Sequence, residues 1–334
     1  MAAVLSGLIT AAGVGLGLSI LLFIHDQITS DVTRRKSDGT KIFSKRRRLP
    51  DERAALERLG AKTVVCELQG SLFFGTTDQL FCELEGDLPT ASFIILDMRR
   101  VVAVDFTAIH MLKQIEDHLH DHGGHLLFAR PPKSLPSGVE LERYFDEVGL
   151  VKETRNVEVF PTLDDALTRA EDALLVEAGF HPGCATDALP LAGCDLMRGL
   201  SADEVEAVDA VARRSAFKAG ATVFHRKDEG DELFLLLKGE VRIDLPLSAG
   251  AAHHLVTFGR GDFFGEVAFL DRGTRSADAV AVNDVELLSL SRASFDWVAQ
   301  ANPDLGTRLF ARLAKALAVR LRQTDAELRS LREA

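Results

Sequence analysis

Cysteine and positive charge are both scarce in this sequence. The four cysteines among 334 residues are widely spaced, and no two of them form a Cys-x-x-Cys motif. This pattern predicts reduced thiols in a cytosolic compartment. Acidic residues outnumber Lys and Arg by 50 to 39, and the resulting net charge of -11 argues against general nucleic-acid binding. Apolar residues make up 46% of the chain, so two or three domains with buried cores are expected.

The first 24 residues lack any charged side chain. As a helix, this stretch would be about 36 Å long, enough to cross the ~30 Å hydrocarbon core of a bilayer. It has neither the basic start nor the small-residue cleavage site of a signal peptide. We therefore expect residues 1–28 to form one transmembrane helix in the cell membrane.

A basic stretch follows the apolar run and includes the sequence Arg46-Arg47-Arg48. Such clusters stay on the cytoplasmic side of a membrane and are attracted to anionic lipid head groups. We expect residues 29–60 to form a basic juxtamembrane connector. The domains that follow it are then expected in the cytoplasm.

Residues 61–176 alternate short apolar runs with amphipathic patterns. The strands are expected at residues 62–68, 92–98, 125–129 and 157–160, and the helices at residues 76–85, 107–120, 141–148 and 163–176. Apolar strands that alternate with helices predict an α/β domain, in which helices cover a sheet.

The pattern changes after residues 177–195, which are rich in Gly, Pro and Ala and are predicted to form a linker. A capping box, with Ser at the N-cap and Glu three residues later, opens a helix at residues 201–213. Short strands separated by glycines at residues 216–290 predict an all-β roll or barrel. From about residue 292 the chain is predicted to be helical.

The segment Phe264–Ala279 has the residue types that a cyclic nucleotide requires. Gly265 permits a close approach of the backbone, and Glu266 can accept a hydrogen bond from the ribose 2′-hydroxyl. The short apolar turn Val267–Leu270 can direct backbone N–H groups towards the phosphate. Arg275 can pair with the phosphate through two parallel hydrogen bonds.

This segment resembles the phosphate-binding cassette of cyclic-nucleotide-binding domains. The family pattern F-G-E-x-A-L, followed by R-[ST]-A, is matched except that Phe269 stands where Leu is usual. The matching residues, which the resemblance implies as the binding site, are Phe264, Gly265, Glu266, Val267, Ala268, Arg275, Ser276 and Ala277. The resemblance covers about residues 195–325 and implies cyclic AMP or cyclic GMP as the ligand, with no metal. The alternative is a β-roll that has lost its ligand.

The sequence Asp105-Phe106-Thr107-Ala108 resembles the phosphorylation motif of STAS domains in anti-sigma-factor antagonists. The resemblance implies Thr107 as a candidate phosphorylation site, because it matches the position of the modified serine. The simpler interpretation is that Asp105 or Thr107 caps the following helix. Phe106 and Ala108 depart from the antagonist form. These departures fit the STAS domains of SulP-type (sulfate permease family) anion permeases better. Those domains have a Gly-x-Leu-Phe-Phe-Gly segment, and Leu68–Gly75 of this chain resembles it.

Taken together, these resemblances imply the C-terminal part of a SulP-type anion transporter. The expected fold is an α/β STAS domain, plus an α+β cyclic-nucleotide-binding β-roll with C-terminal helices, preceded by one N-terminal transmembrane helix. The predicted domains are a transmembrane helix at 1–28, a basic connector at 29–60, a STAS domain at 61–176, a linker at 177–195 and a cyclic-nucleotide-binding domain at 196–334.

The first functional hypothesis is a membrane-anchored regulatory region that controls transport of a sulfate-like anion in response to a cyclic nucleotide. Its expected partners are the membrane, a transport core or multi-span protein, and a second copy of the chain, but no nucleic acid. The alternative is a membrane-tethered signalling adaptor that acts through STAS contacts and is switched by phosphorylation of Thr107. No nucleophile–base or metal set appears, so we expect that the protein is not an enzyme.

Overall fold

The chain is described by a computed structural model. The described residues are 7, 10–20, 31–132, 145, 156–180, 188–247 and 252–332, with side chains as far as residue 322. They fall into two compact units. Unit 1 comprises Met1–Ser44 and Ala55–Leu174, and unit 2 comprises Lys45–Ala54 and Leu175–Ala334. The short segment Lys45–Ala54 therefore belongs to unit 2, although the residues on both sides of it belong to unit 1.

Unit 1 is built on a five-stranded sheet of order β1-β2-β3-β4-β5. The strands are β1 (Thr33–Asp38), β2 (Thr63–Leu72), β3 (Phe93–Val104), β4 (His125–Ala129) and β5 (Val157–Phe160). β1 pairs antiparallel with β2, and the other neighbours are parallel. The first six residues of β3 are all buried, as is typical of a parallel strand covered on both faces. The predicted sheet covered by helices is confirmed.

Besides the helical residues 7, 10–20 and 145, the described residues of this part of the chain contain four α-helices. They are α1 (Pro50–Leu59), α2 (Phe74–Leu84), α3 (Phe106–His120) and α4 (Leu163–Glu177). Leu80 of α2 and Leu112 of α3 are fully buried in the same core as Ile94 and Leu96 of β3. The helix predicted at residues 141–148 lies outside the described residues, apart from Phe145, which is helical and buried.

The N-terminal residues 10–20 are helical, and the rest of the predicted transmembrane helix at residues 1–28 lies outside the described residues, apart from Gly7. Among the helices that the structure describes, none is both long enough and apolar enough to cross a membrane. The expected transmembrane helix is thus not seen in this part of the chain. Residues 29–60, predicted as a basic connector, contain β1 and α1.

Unit 2 contains a β-roll made of two four-stranded antiparallel sheets, of order β10-β9-β12-β7 and β11-β8-β13-β6. The strands are β6 (Arg213–Phe217), β7 (Thr222–Phe224), β8 (Glu232–Lys238), β9 (Val241–Pro246), β10 (Ala252–Phe258), β11 (Phe263–Phe264), β12 (Asp278–Ala281) and β13 (Val285–Ser291). Side chains of β8 alternate between two cores: Leu233 and Leu235 pack with helices, whereas Phe234 and Leu236 pack inside the roll. The predicted roll is confirmed.

Among the residues that the structure describes, four α-helices flank the roll. They are α5 (Ala202–Asp209), α6 (Glu266–Asp271), α7 (Arg292–Ala301) and α8 (Pro303–Arg332). The predicted capping box is present at the start of α5, because the Ser201 backbone N–H donates to Glu204 at 2.9 Å and the Glu204 N–H donates to Ser201 Oγ at 3.3 Å. The end of the predicted linker packs into the core of unit 2, where Leu191 and Cys194 are buried.

Candidate functional site

Arg275 lies within the segment that the sequence analysis assigned to nucleotide binding, and it is only 4% exposed. Its Nη1 atom donates to the carbonyl oxygens of Glu232 and Gly265, at 2.9 and 3.0 Å. Its guanidinium also lies over the rings of Phe224 and Phe234, at 4.4 and 5.2 Å from the ring centroids. The surrounding backbone and rings therefore fix the orientation of the guanidinium.

Two glycines make room for this guanidinium. A Cβ atom on Gly230 would lie 2.4 Å from Arg275 Nε, and one on Gly265 would lie 2.8 Å from Arg275 Nη1. Gly265 also has a φ of +81°, in the left-handed region that other residues rarely adopt. A side chain at either position would displace the guanidinium from its present place.

No described residue forms an ion pair with Arg275. Within the part of the chain that the structure describes, its side chain donates only to carbonyl oxygens. Burial lowers the pKa of Arg275, and the carboxylates of Glu232, Asp231, Glu266 and Asp228 oppose this effect through their charge. A buried cation is costly unless an anion pairs with it, so the position suits an anionic ligand.

Glu266 is the first residue of α6 and directly follows Gly265. It is 5% exposed, and its carboxylate forms an ion pair with Arg320 of α8. Arg320 Nη2 also donates to the Phe263 carbonyl oxygen at 2.7 Å. The Arg320 guanidinium lies over the rings of Phe258 and Phe263, at 4.6 and 5.0 Å. Arg320 therefore covers the carboxylate that was expected to accept the ribose hydroxyl.

The remaining residues of the predicted site differ in exposure. Phe264, Ala268 and Ala277 are buried, whereas Val267 and Ser276 are exposed. The buried residues anchor the segment to the roll, and Ser276 is left accessible to a ligand. The hydrogen bond from Arg275 to the residue before Glu266 shows that the fold brings the two ends of the segment together.

Thr107, the candidate phosphorylation site, lies in unit 1 at the start of α3. Thr107 Oγ1 donates to Asp105 Oδ1 at 2.7 Å. Asp105 Oδ1 also accepts from the Ala108 backbone N–H at 2.7 Å. Asp105 is thus the N-cap of α3, which is the simpler of the two interpretations given above. Phosphorylation of Thr107 stays a prediction.

Comparison with known families gives matches to two parts of the chain. Residues 55–166 match the model of the STAS domain, and residues 214–302 match the model of the cyclic nucleotide-binding domain. The chain contains both domains. The segment from Phe264 to Ala277 lies within the cyclic nucleotide-binding domain, and the Asp105 cap lies within the STAS domain. Together the two domains indicate a regulatory role.

Curated relatives match either most of the chain or the cyclic nucleotide-binding region. Glutaminase 2 from Bradyrhizobium diazoefficiens is 29% identical over 288 residues, which cover 86% of this chain and 44% of the relative. Glutaminase 1 from the same organism is 28% identical over 295 residues, 87% of this chain and 45% of the relative. The cyclic AMP receptor protein of Thermus thermophilus is 37% identical over 136 residues, 41% of this chain and 61% of the relative. The chain thus spans less than half the length of the two glutaminases.

One similar solved structure is that of the Thermus thermophilus catabolite activator protein. It is 37% identical, with a TM-score of 0.37, and the match covers 41% of this chain and 62% of that one.

The two glutaminases contradict our expectation that the protein is not an enzyme. That expectation was based on the absence of a catalytic set, whereas similarity to an enzyme can reside in its regulatory domains. The SulP transporter setting is not shown by these matches.

Proposed function

We propose that unit 2 binds a cyclic nucleotide, with the phosphate at Arg275 and the ribose 2′-hydroxyl at Glu266. The observation that supports this most strongly is the buried guanidinium of Arg275, which forms no ion pair with any described residue. The single negative charge of a cyclic phosphate would neutralise it, and two parallel hydrogen bonds would fix the geometry. Glu266 then supplies a charged acceptor for the sugar.

Cyclic AMP is the first ligand to test. One relative that is 37% identical over the cyclic nucleotide-binding region is named as a cyclic AMP receptor protein. Ser276 is exposed and carries a hydroxyl that either purine nucleotide can use, so cyclic GMP is the second ligand.

The proposal is tested by calorimetric titration of the full chain with cyclic AMP and with cyclic GMP. We expect saturable binding to the wild type and a loss of about 100-fold in Arg275→Ala, because two hydrogen bonds to a charged group contribute about 3 kcal/mol. Arg226→Ala, at an exposed arginine of the same unit, is the matched control and should bind normally. No heat from folded wild type, or unchanged affinity in Arg275→Ala, would refute the site.

We further propose that the STAS domain passes the nucleotide signal to an effector. One proposed effector is a SulP-type transporter of a sulfate-like anion, to which a homodimer of the chain would be tethered at the cytoplasmic face of the cell membrane. Sulfate uptake by cells that co-express the chain and a multi-span SulP-type protein should then respond to cyclic nucleotide, and Arg275→Ala should remove the response. Uptake that is equal with and without the chain would contradict this setting.

A glutaminase is the second proposed effector, and similarity to two glutaminases over most of the chain favours it. In this setting, the two domains control glutamine hydrolysis in the assembly to which they belong. Release of ammonia from glutamine, measured on the full chain with and without cyclic AMP, tests it. Hydrolysis that depends on the nucleotide supports this setting, whereas sulfate uptake without hydrolysis favours the transporter.

A further inference from the structure

A short basic segment, Lys45–Leu49, binds along the edge of the β-roll, and we call it the strap. Arg46 forms a parallel β-bridge with Thr257 of β10. The Arg47 backbone N–H donates to the Thr257 carbonyl oxygen at 2.8 Å, and the Thr257 N–H donates to the Lys45 carbonyl oxygen at 3.1 Å. The strap thus extends a sheet of the roll by backbone pairing, in the way that peptides add to an exposed sheet edge.

Two arginine side chains also hold the strap. Arg46 forms an ion pair with Glu240, and both side chains are mostly buried. Arg47 Nε lies 3.4 Å from Oδ1 of Asp262, whose side chain is 6% exposed. Charges that the sequence suggested for lipid head groups are therefore engaged with the roll.

The distance between Arg47 and Asp262 can become shorter. Its distance of 3.4 Å is longer than the 2.7–2.9 Å of a strong charge-assisted hydrogen bond. The Nη1 atom of Arg47 is buried and has no hydrogen-bond partner among the described residues. A closer approach of the guanidinium to the carboxylate would satisfy groups that are now only partly paired.

The guanidinium groups of Arg320 and Arg47 both lie near the ring of Phe258 and the carboxylate of Asp262. The ring of Phe258 lies 6.0 Å from the Arg47 guanidinium carbon and 4.6 Å from that of Arg320. The carboxylate of Asp262 is stabilised by the charges of both arginines. Two cations beside one ring repel each other, so the charge of Arg320 weakens the hold of Arg47 on Asp262.

We propose that Arg320 couples the nucleotide site to the strap: a nucleotide that reaches Glu266 displaces Arg320, and the strap then binds the roll more tightly through Arg47. This inference rests on the proposed function. Glu266 is 5% exposed and is paired with Arg320, so a ribose hydroxyl that binds the carboxylate competes with Arg320 for it. The chain on both sides of Lys45–Ala54 belongs to unit 1, which contains the STAS domain. A change in the strap on nucleotide binding can therefore pass along the chain to the STAS domain.

Hydrogen exchange of the full chain tests the coupling, with readout at the backbone N–H groups of Arg47 and Thr257. We expect saturating cyclic AMP to slow exchange at both groups by about tenfold, which corresponds to about 1.4 kcal/mol of added protection. Arg320→Ala, or the milder Arg320→Gln, should give the slow rate without nucleotide and remove any further effect of nucleotide. Exchange that is unchanged or faster with nucleotide would overturn the proposal.

The matched control is Arg312→Ala. Arg312 also lies on α8, where its Nη1 donates to the Leu196 carbonyl oxygen at 2.6 Å, so its loss loosens the helix without removing the Arg320 contacts. We expect no added protection of the strap in this variant. Equal protection in Arg312→Ala would mean that general loosening of α8 is the cause, and the proposal would fail.

The same experiment separates this inference from the proposed function. If calorimetry shows nucleotide binding but the strap does not respond, the coupling is wrong and the binding site stands. If no nucleotide binds, the Arg320→Ala variant still tests the coupling, because it removes the competing cation directly. Unchanged strap exchange in Arg320→Ala and in Arg320→Gln would then overturn the coupling.

Discussion

Arg275 reaches its place beside the backbone of Gly265 because two positions around it have no side chain. At Gly230 the nearest atom to an added Cβ would be Arg275 Nε, at 2.4 Å. The guanidinium is the far end of a flexible side chain, so it can move while the fold persists. Substitution at Gly230 is therefore expected to damage the site rather than the structure.

We predict that Gly230→Ala lowers the affinity for cyclic AMP by at least about tenfold, because displacing the guanidinium weakens its hydrogen bonds to the phosphate. Calorimetric titration of the full chain measures this, and circular dichroism checks that the variant is folded. Gly86→Ala is the matched control, because an added Cβ there meets no atom within 4 Å. Full affinity in Gly230→Ala would contradict the role that we assign to Arg275.

The sequence could predict the residues of this site only where they are contiguous. Glu266 and Arg275 lie in one short motif, and the structure brings them together in one unit. Arg320 could not be predicted, because it comes from a distant helix in which many arginines look alike. Arg47 was interpreted as part of a basic connector, since a run of positive charge does not reveal which carboxylate it will meet.

At the scale of elements, apolar periodicity predicted most strands and helices well. β4 and β5 have the expected bounds, because runs of four or five residues have the length of a strand and are too short for a helix. β1 was missed because its sequence, TRRKSD, contains no apolar residue. It is an edge strand stabilised by backbone pairing with β2, and Arg34 also forms an ion pair with Glu67 at 3.2 Å. Such a strand leaves no hydrophobic pattern to detect.

The strap should be sensitive to pH through Asp262. Burial raises the pKa of this carboxyl to about 6, while Arg47, the Gly259 N–H and Arg320 lower it and Asp195 raises it. Above pH 6 the carboxylate is charged and attracts Arg47; below pH 6 it is protonated and the attraction is lost. We therefore predict that the strap becomes less protected as the pH falls through about 6.

Hydrogen exchange at the Arg47 N–H, corrected for the intrinsic pH dependence of exchange, measures this step in protection near pH 6. Asp262→Asn should remove it, and a step that persists in this variant would show that another group is responsible.

The effect of Asp262 on the global stability of the fold has the opposite sign. The folded pKa lies above the unfolded value of 3.8, so protonation of Asp262 favours the folded state as the pH falls from about 6 to 4.

At the scale of the whole molecule, two motifs were sufficient to predict two domains, and family models match both. The assignment of Lys45–Ala54 to unit 2 was not predictable, because edge pairing depends on backbone groups that every sequence has. The apolar N-terminal run predicted a transmembrane helix, but the described helices include none of that kind. Most of that run lies outside the described residues.

The central claim is that one cyclic nucleotide spans Arg275 and Glu266. The most direct test is a pair of calorimetric titrations of the full chain, one with cyclic AMP and one with its 2′-deoxy analogue. We predict saturable binding of cyclic AMP and about tenfold weaker binding of the analogue, because one hydrogen bond to a charged acceptor contributes about 1.5 kcal/mol. Equal affinity for the two ligands, or no binding of either to folded protein, would contradict the account.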